Sequence, residues 1–416
     1  MERVVITGMG IVSPLGNSVE QFWDGLSNGK SGIKAIDTFD VARHKSKIAG
    51  LVQNFDAEAL LGRKEARRMD RFCHFAVAAA DQAWADAGLS DANGNSSVSP
   101  ERIGVYIGSG TGGIQTLVDQ ANLLQERGPE RISPTLVPMM ITNMAAAMIS
   151  IKYGTTGPTM SPVTACSIGN TAIGEAARLI RTGGADVVLA GGTEAAVTDI
   201  ALASFGNATA LSTRNDEPEQ ASRPFDADRD GFVMAEGAGI LVLESLSHAK
   251  KRGAVIYAEV LGYGASSDAY HMVATHPDGN GAYLAMKLAL ADAGVDPSEV
   301  DVISAHATST VIGDRSETAA IKRLFGDHAS RIPVTANKSM TGHMLGASSA
   351  AEAVALVQML RHNLITPTIN LVTADPACDL DYVPGASREA GLRVGLSNSF
   401  GFGGHNAVIV LRTYEE

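Results

Sequence analysis

The chain has 416 residues, with 33 Lys plus Arg against 45 Asp plus Glu, a formal net charge of −12. Apolar residues make up 45% and charged residues 19%, enough for a large core and too apolar for a disordered chain. The acidic balance argues against general nucleic-acid binding. No apolar run approaches the roughly 18 residues of a membrane-spanning helix. The opening MERVVITGMG passes directly into a strand-like run, without the layout of a secretory signal. A cytoplasmic α/β protein, most naturally an enzyme, is expected.

In chain order, the opening strand gives way to a helix expected over Arg71–Ala87, where Phe75, Ala76, Ala79, Ala80 and Trp84 share a face. Residues Asp91–Pro100 read as a loop. The strand-like ERIGVYIG runs into a glycine cluster at Gly108, Gly110, Gly112 and Gly113. A helix is expected over Thr171–Thr182, then ADVVLAGG ending at Gly191 and Gly192. Further helices are expected over Gly281–Ala293 and Ala350–Arg361, and LRVGLSNSFG ends in Gly401, Gly403 and Gly404. The alternation favours an α/β fold. Glycines just past strand ends suit tight turns and close approach of backbone to a ligand. No P-loop and no GxGxxG leading into a helix is present, so a nucleotide cofactor is not expected.

The two halves are faintly alike. Ala85-Asp86-Ala87-Gly88, loop, strand recurs as Ala291-Asp292-Ala293-Gly294, loop, strand. Cys166 precedes Glu175 by the spacing at which His343 precedes Glu352, each Glu inside an Ala-rich helix. Chance likeness of Ala-rich helices is the competing explanation. If the repeat is real, Cys166 and His343 stand at equivalent positions and converge on a pseudo-twofold axis.

Three cysteines, Cys73, Cys166 and Cys378, lie far apart, with no disulfide framework and no zinc-ligand spacing. Cys166 sits where strand-like PVTA meets a helix, so its thiol stands at a helix N-terminus. That position favours thiolate and lowers a cysteine pKa; an inert buried cysteine is the other reading. Cys73 reads as structural, and acidic Asp375 and Asp379 disfavour a thiolate at Cys378. His306 ends the strand VDVISA among hydroxyls, either a base, donor or ligand, or a satisfied structural histidine. Lys338 precedes His343 across a glycine turn, and Glu352 in its apolar helix needs a partner, for which Lys338 is the candidate. The loop NSFGFGGHN can bring backbone N–H groups to a substrate carbonyl.

Together, TACSIG, AHATST followed by Gly313-Asp314, NKSMTGH and NSFGFGGHN resemble, in order and spacing, the β-ketoacyl-acyl-carrier-protein synthases. The resemblance is to elongating condensing enzymes with a Cys-His-His site, on the synthase II branch of bacterial fatty-acid systems. It spans essentially the whole chain, including RVVITGMGIVSPLGN, ASRPFDADRDGFVMAEGAG and DLDYVPGAS. It implies a thiolase fold with duplicated halves in five αβαβα layers, residues 1–255 carrying the nucleophile and 256–416 the His/Lys/His site. It also implies a homodimer, no metal or cofactor, and decarboxylative condensation of an acyl group with malonyl-acyl carrier protein. Cys166 becomes the acyl acceptor, and its N–H with that of Phe402 the oxyanion hole. His306 and His343 support decarboxylation, and Lys338 with Glu352 holds the local field. Thr308, Thr310, Thr111, Phe205 and Phe400 become substrate-binding, Asp314 and Glu317 supporting groups, and Phe402 a gate.

The run Arg63-Lys64-Glu65-Ala66-Arg67-Arg68 carries four positive charges in six residues. Alone it reads as a solvated helix face; the resemblance makes it, with Arg127, Arg131 and Arg214, a docking face for the acidic carrier protein. The chain departs from the pattern at Ala307 (usually Gly), Ser167-Ile168, Thr111 (usually a branched apolar residue) and Ser348-Ser349 (usually small and apolar). Thr111 is expected to make the acyl tunnel more polar. A ketosynthase of polyketide or other specialised acyl metabolism shares the same motifs, and a non-catalytic chain-length-factor-type subunit lacks the nucleophile that Cys166 supplies.

Overall fold

A computed structural model describes residues 2–90 and 98–415. Ten strands form one mixed sheet: β1 (Val4–Val12), β2 (Ile103–Gly108), β3 (Thr159–Met160), β4 (Val187–Glu194), β5 (Gly237–Ser245), β6 (Ala258–Ser267), β7 (Val302–Ser304), β8 (Val334–Thr335), β9 (Val394–Gly401) and β10 (His405–Thr413). Seven helices carry most of the packing: α1 (Arg71–Asp86), α2 (Ile114–Arg127), α3 (Met144–Tyr153), α4 (Ile168–Arg181), α5 (Asn280–Ala293), α6 (Val311–Phe325) and α7 (Ser348–His362). The four helices expected from periodicity are present, with ends shifted by up to three residues. The expected loop Asp91–Pro100 lies largely outside the described residues.

The strand order is β8-β7-β9-β10-β6-β1-β5-β4-β2-β3. Outward from the centre, β1-β5-β4-β2-β3 is repeated rank for rank by β6-β10-β9-β7-β8. The pairing directions repeat as well: β2 is parallel to β3 and β4, as β7 is to β8 and β9. Among the described residues, the strand pairing that joins the two sets is Val5↔Glu259 and Ile6↔Ala258. The recurring Ala-Asp-Ala-Gly has a physical basis. Asp86 at the end of α1 accepts from Met9 N at 2.9 Å, and Asp292 near the end of α5 accepts from Tyr263 N at 3.0 Å. Each bond falls beside an irregularity in pairing, one in β1 and one where β6 meets β10.

Helices α4 and α7 pack against each other and against strands of both sets, forming the middle layer. Helices α1 and α3 cover one outer face; α5, with α6 packed on it, covers the other. Five layers result. The strands are apolar on both faces because both are buried. In β5, Leu241 and Leu243 enter the central core while Ile240 and Val242 face α1. In β10, Ile409 and Leu411 point centrally while Val408 and Val410 face α5. The middle helices cross closely: a Cβ on Gly169 of α4 would lie 2.2 Å from Ala350 N of α7. Among the described residues no helix is long and apolar enough to cross a membrane.

The duplication corrects one part of the sequence reading. A tight turn Ala165–Ser167 leads into α4, and a tight turn Leu345–Ala347 leads into α7. Both open on a residue of positive φ, Ala165 at 51° and Leu345 at 46°. Gly346, not His343, is therefore the counterpart of Cys166. The expected register was off by about one helical turn, a slip that Ala-rich helices disguise because their faces nearly repeat at that step.

Candidate active site

The site lies where the two turns meet. Cys166 is buried just ahead of α4, and His343 is buried just ahead of the turn into α7. The His343 Nε2 lies 3.1 Å from Cys166 Sγ, and its Nδ1 lies 2.8 Å from Ser348 Oγ. The His306 ring stands edge-on to that of His343, centroids 5.6 Å apart, and 5.6 Å from the ring of Phe400. These groups line a cavity of about 700 Å³ with Thr111, Phe205, Thr308, Thr310 and Phe402. Phe402 is 37% exposed, so the cavity reaches solvent. Its ring lies 6.1 Å from that of Phe205.

Lys338 stands behind the cavity wall, fully buried. Its Nζ donates to His306 O at 2.7 Å and pairs with Glu352, as the sequence led one to expect. The loop after β7 is held by two buried carboxyls of α6. Glu317 accepts from His306 N at 2.9 Å, Ala307 N at 2.8 Å and Asn398 Nδ2 at 3.0 Å. Asp314 accepts from Ser309 N and Phe225 N and pairs with Arg229 at 3.1 Å. Thr308 and Thr310 join hydroxyls at 3.1 Å on the cavity side of that loop.

The electrostatics follow from burial. Burial pushes the Cys166 thiol up to about 11, outweighing Lys338 and the backbone N–H groups of Phe402 and Cys166, which favour thiolate. This corrects the lowered value expected of a helix N-terminus: desolvation dominates. The two N–H groups nonetheless converge on the sulfur. Burial, then Lys338, holds both imidazoles well below their ordinary value, so each is neutral near pH 7. Burial raises Asp314 and Glu352 to about 7, against the pull of Arg229 and Lys338 respectively, and raises Glu317. Cys73 and Cys378 are also buried and pushed up, chiefly by desolvation, and neither lines the cavity. Among the described residues no group of His, Cys, Asp and Glu is placed to hold a metal.

The β-ketoacyl synthase N-terminal domain profile matches residues 1–249, and the β-ketoacyl synthase C-terminal domain profile matches residues 257–372. The chain belongs to the β-ketoacyl synthase family. It is 51% identical to the 3-oxoacyl-[acyl-carrier-protein] synthase 2 of Synechocystis, covering 100% of this chain and 99% of that one. The synthase of the same name from Staphylococcus aureus is 48% identical, with 100% and 99% covered. A β-ketoacyl synthase from Burkholderia phymatum superposes at a TM-score of 0.93 with 38% identity and full coverage of both chains. A type II PKS ketosynthase, solved in complex with its acyl-carrier protein and bound to the hexaketide, superposes at 0.90 with 37% identity over both full chains. The fold is the duplicated thiolase fold.

Three departures from the family pattern now have a setting. Ala307 holds a positive φ of 34°, where glycine is unstrained and a Cβ is not. Thr111 lines the cavity, and its hydroxyl donates to Glu194 Oε1 at 2.7 Å. Ser349 Oγ donates to Cys166 O at 3.2 Å, beside a 2.9 Å bond to the same oxygen from Ser399.

Glu194 was not found by sequence reasoning. Fully buried at the end of β4, it lines the cavity and accepts from Ser109 Oγ, Gly110 N, Thr111 N and Gly346 N. It therefore ties the loop after β2 to the turn before α7. Its signal was the one charge ending an apolar strand, VVLAGGTE. Gly401 is required by proximity, since a Cβ there would lie 2.6 Å from Thr164 O and 3.0 Å from Cys166 N.

The basic residues lie away from the cavity lining. Arg63, Lys64, Arg67 and Arg68 are exposed, with Arg63 and Arg67 3.8 and 3.6 Å from Glu58 and Arg68 3.5 Å from Glu65. Arg127, the last residue of α2, and Arg131, in the short turn just after it, are exposed. Arg214 is half-buried and donates to Asp228 O at 3.0 Å.

Proposed function

We propose that the chain catalyses decarboxylative condensation of an acyl group, carried on Cys166, with malonyl-acyl carrier protein, giving 3-oxoacyl-acyl carrier protein in fatty-acid elongation. One observation carries the reading: the Cys166 thiol lies 3.1 Å from a neutral His343, with the neutral His306 and two converging backbone N–H groups beside it. A protonated thiol needs an acceptor as it attacks, and His343 Nε2 is in place. As sulfur bonds to the thioester carbonyl, its proton passes to Nε2. The oxyanion is held by the N–H groups of Cys166 and Phe402. The carrier thiolate departs and takes the proton.

Malonyl-carrier protein then enters along Thr308 and Thr310. Its thioester oxygen accepts N–H groups from His306 and His343, and the carbon–carbon bond to the carboxylate breaks, releasing carbon dioxide. The resulting enolate carbon attacks the acyl carbonyl, and Cys166 leaves as thiolate and takes up a proton from water through the open cavity. Lys338 and Glu352 fix His306 and the local field, and Asp314 and Glu317 fix its loop. Phe205, Phe400 and Thr111 line the acyl path, with Phe402 as gate.

Arg63, Lys64, Arg67, Arg68, Arg127, Arg131 and Arg214 receive the carrier protein. The homodimer forms through the β3 edge. That edge strand is exposed, α2 buries none of its residues, and Leu117, Leu124, Ile151 and Val163 stand in solvent nearby in the chain. The opposite edge, β8, is buried. The units divide at residues 1–255 and 256–416, and the location is cytoplasmic. The ketosynthase of a polyketide pathway is the second reading, favoured by the structural likeness to the type II PKS ketosynthase at 37% identity; the relatives near 50% favour the first. Turnover with malonyl-carrier protein and acyl-carrier primers of graded length decides. Condensation of saturated primers of graded length is the expected result. No condensation with any simple acyl primer would overturn it.

A further inference from the structure

We propose that Ser348 is a positioning residue of the reaction: its buried hydroxyl holds His343 Nε2 against the Cys166 thiol and, by serving Nδ1 as either acceptor or donor, supports both hydrogen-bonding states that His343 needs. The inference rests on the function proposed above and deepens it. Ser348 is the first residue of α7, 1% exposed, with Oγ 2.8 Å from Nδ1. The backbone geometry that begins α7 therefore fixes the distance between helix and ring. The groups facing the imidazole are Cys166, His306, the Phe232 ring at 5.4 Å and the field of Lys338.

The two half-reactions ask opposite things of Nε2. To take the thiol proton, Nε2 must offer a lone pair, so the ring proton sits on Nδ1 and needs an acceptor. To donate to the malonyl thioester oxygen, Nε2 must carry the proton, and Nδ1 becomes an acceptor in need of a donor. A carbonyl partner serves only the first state and an N–H partner only the second; a hydroxyl serves both. The exchange releases one proton and takes up one from water in the open cavity, so charge and proton count are unchanged. His306 offers the contrast. Its Nδ1 is buried with no hydrogen-bond partner among the described residues, so His306 has no hydroxyl that serves both states. Ser349, next in sequence, bonds to Cys166 O and accepts from Asn170 N at 3.3 Å. The serine pair thus links the start of α7 to both reacting residues.

The test uses the full-length protein with Ser348→Ala and the hydroxyl-restoring Ser348→Thr. Alkylation of Cys166 by iodoacetamide is followed against pH by mass spectrometry, and kcat and KM for condensation are measured alongside. Ser348→Ala should slow alkylation at pH 7 roughly fivefold, the equivalent of about one hydrogen bond, and move the pH profile upward. It should lower kcat with KM for malonyl-carrier protein unchanged, and Ser348→Thr should restore most of the loss. An alkylation profile in Ser348→Ala within twofold of the parent would overturn the proposal. So would an equal loss in both variants with an unshifted profile, which marks a packing role. Alkylation needs no acyl substrate: a shifted profile in a protein that condenses no primer overturns the substrate reading and leaves the Ser348 linkage standing.

Discussion

At Ala307 a single methyl group sits where the backbone turns left-handed. Holding a non-glycine residue there costs about 1–2 kcal/mol. Glycine would relieve that strain but adds about 0.4–1 kcal/mol of unfolded-chain entropy. The strain outweighs the entropy, so Ala307→Gly should stabilise the protein by about 0.5 kcal/mol, read as a higher denaturation midpoint with unchanged slope. A lower midpoint would mean that the methyl packs usefully against its buried surroundings. Much of the residue scale was legible. Cys166, His306, Lys338, His343 and Glu352 all lay in short stretches whose residue types conflict with simple burial. What stayed hidden was conformation and desolvation. Positive φ at Ala307 has no marker in an alanine. The thiol's upward shift depends on how completely the two halves exclude water, which a helix-start argument does not reveal. Glu194 was missed because its partners are backbone N–H groups from two remote loops.

The elements behind the cavity store titratable charge. Asp314 on α6 and Glu352 on α7 hold their protons up to about pH 7 in the folded chain, against about 4 unfolded. Between those limits the folded state binds more protons, so this contribution to stability is whole below pH 4 and lost as pH rises through 7. The stability of the parent relative to Glu352→Gln should therefore fall between pH 5 and 8, measured by denaturant unfolding at each pH. A difference that is constant or grows over that range contradicts the assignment. The short helix Arg63–Ala66 and its neighbours raise a different question, since Glu58 and Glu65 offset part of the basic charge. Reversing Lys64 and Arg67 to Glu should raise KM for acyl-carrier protein roughly tenfold, because a local patch must overcome two acidic partners. A small acyl-pantetheine substrate should be unaffected, and added salt should slow the parent as well. Equal loss with both substrates would mean a folding defect, and no loss would return the run to an ordinary solvated face. At this scale, periodicity found α1, α4, α5 and α7 because each buries a wide apolar face. It left the turns before α4 and α7 unresolved, and with them the register of the repeat.

For the whole molecule, the duplicated strand order explains why two remote motifs meet: each half contributes one tight turn to the middle layer, and the turns abut. The recurring Ala-Asp-Ala-Gly was the legible trace of that symmetry, since the Asp bonds back to the first strand of its own half. The strand order itself was not legible, because buried strands read as uniform apolar runs. The exposed β3 edge and the unburied α2 predict a dimer by light scattering, and Leu117→Glu with Leu124→Glu should shift it toward monomer; a parent that is monomeric at micromolar concentration contradicts that assembly. The whole reaction scheme depends on Cys166 as the acyl acceptor. Mass spectrometry of the protein after incubation with acyl-carrier protein and no malonyl partner reads that step alone. The acyl group should be found on Cys166 and be absent in Cys166→Ala; acylation at Cys73 or Cys378, or none at all in the intact protein, would rule the scheme out.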